Sequence, residues 1–171
     1  MKEFVGSYGR KCPFEDLSGR GMDDDALIQY LKKRKKLVAI NLSDNNITEK
    51  AVRYLARRPT LKKLNLSGNK LTVKAAKYLA HSKSITSLDL FGNTTLGDEG
   101  VKYFGRNKVL KTLILSDCDV GNKGAYSLAK NTTLHSLTLI KNKIDQKGAN
   151  KLLKSSIKHI DLTDNPVEFV R

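Results

Sequence analysis

Short alternations of apolar and polar residues recur along the chain at nearly equal spacing. Each has an apolar residue at its first, fourth and sixth positions and then enters a polar turn. The six segments are LVAINLSDNNI, LKKLNLSGNKL, ITSLDLFGNTTL, LKTLILSDCDV, LHSLTLIKNKI and IKHIDLTDNPV. They begin at Leu37, Leu61, Ile85, Leu110, Leu134 and Ile157, so the chain repeats itself with a period of about 24 residues. This alternation predicts short strands with one buried face, and its repetition predicts a stack of parallel strands.

One position in the turn after each predicted strand holds nearly the same residue throughout. It is Cys118 in the fourth segment and asparagine in the others, at Asn45, Asn69, Asn93, Asn142 and Asn165. A side-chain amide there can pair with turn backbone groups that lack other partners. We expect the Cys118 thiol to donate weakly in the same place.

The segments between the predicted strands have helical periodicity. In each, a small residue is followed four positions later by a large apolar one, which places both on one inward stripe. We expect the small residue to let the helix approach the sheet and the large one to fill the core. The pairs are Ala51 and Leu55, Ala75 and Leu79, Gly100 and Phe104, Gly124 and Leu128, and Gly148 and Leu152. The predicted fold is an α/β solenoid, a short horseshoe with a concave parallel sheet and convex helices.

On these residues the chain resembles ribonuclease-inhibitor-type leucine-rich repeat proteins, from Leu37 to Val167. The helical motif GAYSLA at residues 124–129 is similar to the GALA-type repeats of bacterial effector proteins. The resemblance implies a non-enzymatic module that binds a partner protein through its concave face, as an effector acting in a host cell. Some members of that class carry an F-box before the repeats. Because about 36 residues precede them here, a ubiquitin-ligase adaptor role is not expected.

The two ends of the chain depart from the repeat. Residues 1–36 are predicted to form a degenerate capping repeat with a helix, and residues 37–171 six repeats, the last without its helix. Glu15 stands in the capping repeat where the others have an apolar strand residue. At the other end, Val167 and Phe169 are predicted to fold over the last core layer, which favours a monomer. The alternative is an open sheet edge that pairs with a second copy.

Composition narrows the class of protein. A length of 171 residues fits one domain, and 39% hydrophobic residues are enough for a packed core. No apolar run is long enough to span a membrane, and no signal peptide begins the chain. Cys12 and Cys118 are expected to be free thiols in a reducing compartment. These observations predict a cytoplasmic protein, or one delivered into a host cell without a general secretory signal peptide.

An apolar group interrupts the small polar residues predicted on the concave face. Outward positions are the third, fifth and seventh of each repeat, and they hold Phe91, Ile114 and Ile140 on three consecutive strands. An exposed apolar patch with a polar rim is typical of a protein-binding site, although single exposed apolar residues are ordinary. The predicted partner-binding residues are Lys63, Asp89, Phe91, Ile114, Thr138, Ile140, His159 and Asp161.

Most of the net charge of +15 falls on the predicted helices. Residues 48–58, 72–83, 97–108, 121–132 and 145–156 hold 15 Lys or Arg against 4 acids, a balance of 15 − 4 = +11. A solvated, solubilising surface is one interpretation. The alternative is an electrostatic adaptor that docks on anionic membrane or nucleic acid. The residues concerned are Lys50, Arg53, Lys74, Lys77, Lys102, Lys123 and Lys147.

Signals for catalysis are missing from the sequence. It contains no G-x-S-x-G, no phosphate-binding Gly-Lys-Ser/Thr loop and no H-E-x-x-H. His135 and His159 are predicted to approach each other on adjacent strands, with no third ligand placed to complete a metal site. We therefore expect no enzyme activity, no cofactor and no metal.

Overall fold

The computed structural model describes residues 14–167. Their strands form one parallel sheet, in which neighbouring strands follow the order of the chain. The strands are β1 (Phe14–Asp16), β2 (Ala39–Asn41), β3 (Lys63–Asn65), β4 (Ser87–Asp89), β5 (Thr112–Ile114), β6 (Ser136–Thr138) and β7 (His159–Asp161). The helices between them are α1 (Asp24–Lys32), α2 (Glu49–Ala56), α3 (Val73–Ala80), α4 (Gly97–Val101), α5 (Asn122–Leu128) and α6 (Gln146–Leu153). One strand and one helix alternate throughout, which confirms the predicted α/β solenoid. We call the outer surface of the sheet, predicted to be concave, the sheet face, and the opposite surface the helical face.

The core consists of one layer per repeat, stacked along the solenoid. The leucine at the sixth position is fully buried in five successive layers, at Leu42, Leu66, Leu90, Leu115 and Leu139. In the last layer the equivalent Leu162 is 8% exposed, and Val167 packs against the core from beyond it. Phe169, predicted to complete that cover, lies outside the described residues.

The first strand joins the sheet despite a charged residue at its core position. Glu15 lies opposite Ile40 in the parallel pairing of β1 with β2. Its carboxylate accepts a hydrogen bond from Nε of Arg34 at 2.8 Å. Hydrogen bonds from Tyr30 and Arg34 lower the pKa of Glu15. The charge is therefore partnered where it meets the core, and the division of the chain at residues 36 and 37 stays a prediction.

Asparagine side chains form a ladder where the chain leaves the strands. The Nδ2 of Asn69 donates to the carbonyls of Leu42 and Leu66 at 2.9 and 3.1 Å, and its Oδ1 accepts from the amide of Ile47 at 3.0 Å. The same pattern recurs at Asn45, Asn93, Asn142 and Asn165. Each side chain thus joins its own turn to the preceding repeat, which confirms the predicted role of these residues.

Cys118 fills the asparagine position with a donor only. Its Sγ lies 3.1 Å from the carbonyl of Leu90, and burial raises the pKa of the thiol to about 12. Nothing in the thiol replaces Oδ1 as a strong acceptor, and the amide of Leu96 donates instead to the carbonyl of Asn93 at 3.0 Å. That turn belongs to the repeat that begins at Ile85, which is one position longer than its neighbours, and within this longer turn the amide has a local acceptor. Cys118 is free, as predicted, and Cys12 lies outside the described residues.

Gly124, one of the small residues of the helices, also makes room for contacts between repeats. A Cβ added at Gly124 would lie 2.6 Å from Oδ1 of Asp98 and 2.7 Å from Cγ2 of Val101, both in the preceding repeat. Asp98 uses that space to accept the amides of Gly121 and Gly124 at 2.7 and 2.8 Å. The Cβ would also lie 2.7 Å from Cγ1 of Val120, in the core of its own repeat, so the expected close approach of the helix to the sheet stays a prediction. The small residue also lets neighbouring repeats stack.

The fourth helical segment is not a continuous α-helix. It leaves α-helical geometry at Val101 and continues as a 3-10 helix over Lys102–Arg106. The segment contains Gly100 and Gly105, which weaken an α-helix. Gly105 faces the next repeat so closely that a Cβ would overlap the carbonyl of Ser127, 2.8 Å from its carbon atom. Sequence periodicity alone did not distinguish this segment from its neighbours.

Candidate functional site

The three predicted apolar anchors lie together on the sheet face. Backbone hydrogen bonds extend the parallel ladder beyond the strands, from Gly92 to Ser116 at 3.0 Å and from Asp117 to Ile140 at 2.9 Å. These bonds place Phe91, Ser116 and Ile140 in one row across the sheet. Ile114 lies in the row before, between Asp89 and Thr138. We call Phe91, Ile114 and Ile140 the apolar cluster.

The apolar cluster surrounds a small residue. Phe91 is 48% exposed, and Ile114 and Ile140 are half-buried. Ser116, between Phe91 and Ile140 in their row, is buried. Since adjacent strands are about 4.8 Å apart, the two outer side chains start roughly 10 Å from each other. The three side chains form an apolar surface with a shallow depression above Ser116.

The other residues in the row of Ile114 show the usual role of a side chain at this strand position. Most residues of the row accept the backbone N–H two positions further on, which closes the turn after the strand. They are Asp16, Asn41, Asn65, Asp89 and Asp161. Ile114 has no side-chain acceptor, and Thr138 makes no such bond. Turn structure therefore explains Asp89 and Asp161 in part, and it does not explain Ile114.

The two acidic residues of the predicted site differ in their electrostatics. Burial raises the pKa of Asp89, whose only lowering contact is the hydrogen bond from the Phe91 amide at 3.0 Å. Asp161 is exposed, and hydrogen bonds from Thr163 lower its pKa. Asp89 lies beside the apolar cluster, so a donor or cation brought there by a partner would stabilise its charge.

The remaining predicted residues lie on both sides of the apolar cluster. Lys63 is exposed on β3, opposite Ser87 of β4. On the other side, the imidazole rings of His135 and His159 meet edge to face with centroids 5.0 Å apart, as predicted. Within residues 14–167, no group of three or more His, Cys, Asp or Glu is placed to hold a metal ion.

Basic residues predicted on the helical face are all exposed, and several are paired. Lys50 meets Asp25 at 2.6 Å and Lys74 meets Glu49 at 3.7 Å, in each case an acid from the preceding repeat. Lys102 pairs with Glu99. Cationic groups of Arg53 and Lys77 lie 5.9 and 6.0 Å from the ring centres of Tyr78 and Tyr103. No ion pair of Lys123 or Lys147 occurs among the described residues.

A second polar ladder, on the helical side, was not anticipated from the sequence. The Nδ2 of Asn107 donates to the carbonyl of Ala80 at 2.8 Å, and that of Asn131 to Phe104 at 2.7 Å. Arg58 occupies the same place two repeats earlier and donates to Leu31 at 3.3 Å. These three residues are spaced by multiples of the repeat period, and that spacing is the sequence signal for the ladder. The ladder is hard to recognise in the sequence because the residue type at this position changes from repeat to repeat.

Two stretches of the chain match known family models. Residues 35–94 match a model described as leucine rich repeat, and residues 106–129 match a second model with the same description. No curated protein matches the chain. Across residues 14–167, every helix is too short or too polar to cross a membrane.

Proposed function

Because the chain is a leucine-rich repeat protein, a family whose repeats generally mediate protein–protein interaction, we propose that it binds a partner protein through its sheet face. The family is typically a non-enzymatic interaction module. The proposal therefore assigns the apolar cluster to binding and assigns no residue to catalysis.

One observation carries the proposal: Ile114 replaces a turn-closing acceptor with an apolar side chain on an outward row. In the same row, the side chains of Asn65 and Asp89 accept a hydrogen bond from the turn amide, so Ile114 gives up a local hydrogen bond. Phe91 and Ile140 lie on either side of it, one row further along. A partner that covers these side chains would compensate for exposing them to water.

The polar surroundings define the chemistry expected of the partner. An apolar side chain of the partner would enter the shallow surface above Ser116. A lysine or arginine beside it would meet Asp89, whose charge is poorly solvated. We propose Lys63, Thr138, His159 and Asp161 as contacts around this centre. The partner segment is therefore apolar with an adjacent basic residue.

The origin of the partner is a finer part of the proposal. The similarity of GAYSLA at residues 124–129 to GALA-type repeats supports a bacterial effector that acts on a host-cell protein. A cytoplasmic partner in its own cell is the alternative, and binding from the two kinds of lysate separates these cases.

A second candidate is docking of the basic helical face on anionic membrane or nucleic acid. Lys123 and Lys147, exposed and in no ion pair among the described residues, favour it. Pairing of Lys50, Lys74 and Lys102 with acids reduces the available charge. Tyr54, Tyr78 and Tyr103 pack against the core, so their rings are not free to stack on bases. We therefore rank it below the sheet face.

The test uses two matched pairs of substitutions. Phe91→Asp with Ile140→Asp places two carboxylates on the apolar cluster. Tyr126→Asp with Leu153→Asp places two on the helical side, at apolar residues that are 38% and 65% exposed. Each tagged protein is incubated with eukaryotic or bacterial lysate, and retained proteins are quantified by mass spectrometry. We expect only the sheet-face pair to lose a wild-type partner.

If the sheet-face pair retains every wild-type partner, the proposed function is wrong. Lys123→Glu with Lys147→Glu tests the second candidate in the same experiment. Loss of binding in that variant alone, together with steep weakening by salt, would support docking of the helical face instead. Melting curves of all variants establish that the differences do not arise from unfolding.

A further inference from the structure

A cavity of about 580 Å³ opens on the helical side of the second, third and fourth repeats. It lies between the end of α3, the 3-10 helix over Lys102–Arg106 and the end of α5. Its volume falls within the range of about 300 to 1,000 Å³ that is usual for small-molecule sites. It is separate from the apolar cluster, which lies on the opposite side of the sheet.

Basic side chains line this cavity, and no acidic residue does. They are Lys77, Lys83, Lys102, Arg106, Lys108 and Lys130, and His81 lies among them. We call these residues and the space between them the basic cavity. Nδ1 of His81 lies 2.6 Å from the carbonyl of Lys77, so that nitrogen carries a proton. The lining is therefore rich in hydrogen-bond donors and in positive charge.

Capping of the helix ends does not account for these cations. Basic residues near helix C-termini often bond to the last carbonyl groups, as Arg58 does with Leu31 at 3.3 Å. At the basic cavity those carbonyls are already occupied, because Asn107 donates to Ala80 and Asn131 to Phe104.

Within the described chain, the side chains of Lys83, Arg106 and Lys130 have no hydrogen bond or ion pair to protein. Lys108 reaches only the hydroxyl of Thr132, at 3.2 Å, and Lys102 pairs with Glu99 at the edge. Several unpaired cations thus share one concave space, where they repel one another. An anion placed between them would relieve that repulsion.

The backbone beside the cavity departs from the repeat pattern. Position 105 is glycine where the helices of other repeats end in Ala56 or Ala80, and the chain there is a 3-10 helix. The lack of a Cβ lets Gly105 rest on the carbonyl of Ser127. The middle part of the cavity lining, from Lys102 to Val109, therefore comes from the repeat whose helical segment departs from the pattern.

We propose that the basic cavity binds a small ligand with two or more phosphate groups. Several cations that converge without an acid suit multiple negative charges, and arginine and lysine form short, charge-assisted bonds with phosphate oxygens. The phosphates belong either to a free polyphosphate or polyol phosphate, or to the headgroup of a phosphorylated lipid. This proposal is independent of partner binding at the sheet face.

Two triple variants with the same loss of charge provide the test. Lys83→Gln, Arg106→Gln and Lys130→Gln neutralise the basic cavity. Arg57→Gln, Lys151→Gln and Lys154→Gln neutralise three exposed basic residues elsewhere on the helical side. Binding of tripolyphosphate and inositol hexakisphosphate is measured by calorimetry in physiological salt. Sedimentation with phosphatidylcholine vesicles containing phosphatidylinositol bisphosphate tests the lipid source, against vesicles of equal charge made with phosphatidylserine.

We expect the cavity triple to weaken binding by at least about tenfold, since it removes three charge-assisted bonds, and the control triple to bind like wild type. Loss of a soluble probe in the cavity triple alone supports a free ligand. Selective loss of the bisphosphate vesicles alone supports a lipid headgroup. Equal weakening in both triples, or no binding of any probe by the wild type, overturns the proposal. Melting curves without ligand verify that both triples fold.

Discussion

The repeat is more regular on the sheet side of this solenoid than on the helical side. Each strand has three residues and pairs in the same register with the next, from β1 to β7. The helices vary from five residues in α4 to nine in α1, and one continues as a 3-10 helix. The sheet face carries little charge, whereas most of the positive charge lies on the helical side.

This difference has a physical origin in the backbone. Every strand must satisfy its neighbour's hydrogen bonds, so an irregular strand would leave amide and carbonyl groups unpaired in two repeats. A helix satisfies most of its own hydrogen bonds and needs its neighbour only for side-chain packing. Variation therefore accumulates on the helical side, where it shaped the basic cavity, while the sheet side varies only in its outward side chains.

The largest expected effect is a loss of stability that differs between the two polar ladders. Asn142→Ser on the strand side should reduce the free energy of unfolding by about 2 to 4 kcal/mol, because several buried groups lose their partner. Asn131→Ser on the helical side should cost about 1 kcal/mol. Its equivalent Ser82 already accepts from the amide of Ile85 at 3.3 Å. Urea denaturation of both variants measures the difference, and equal losses would contradict the contrast between the two sides.

A smaller effect is expected within the irregular helix. Gly105→Ala should destabilise by about 1 to 3 kcal/mol because the new methyl group overlaps the Ser127 backbone. Gly100→Ala is the control, since its nearest neighbours are side-chain atoms of Leu96 at 3.1 and 3.3 Å. A gain of about 1 kcal/mol in helix propensity offsets that contact. Thermal unfolding of both variants tests this prediction. Similar melting temperatures would show that close packing at Gly105 is unimportant.

The smallest effect is a gain in stability on the sheet face. Asp89→Asn preserves an acceptor for the Phe91 amide, as Asn65 does for Ser67 at 2.9 Å. Burial raises the pKa of Asp89, so the folded state disfavours its charge at neutral pH. The variant should be more stable at pH 7, by less than about 1 kcal/mol because solvent screens a partly exposed group.

The pH dependence of that gain follows from the direction of the shift. A carboxyl group whose folded pKa is raised contributes its stability in full below the unfolded value of 3.8 and loses it as pH rises through the folded pKa. The advantage of Asp89→Asn should therefore be present at pH 7 and shrink below pH 3.8. Urea midpoints at both pH values test this. An advantage that grows in acid would show that burial does not control the charge of Asp89.

Individual residues show how far the sequence could predict the molecule. The asparagine ladder was predictable because a single residue type recurs where every turn needs the same donor. The apolar cluster could be predicted as a set, since period-two alternation assigns Phe91, Ile114 and Ile140 to the outward side. The second ladder was harder to recognise, because Arg58, Asn107 and Asn131 do the same work with different side chains.

By itself, the sequence determined the order of strands and helices, their register and the outward residues of the sheet. Those features follow from local periodicity, which recurs in every repeat of the solenoid. Only the tertiary structure decided which lysines meet an acid, how Gly105 meets Ser127, and that unpaired cations from three repeats surround one cavity. These contacts join residues of different repeats, far apart along the chain, and their distances depend on how neighbouring repeats stack.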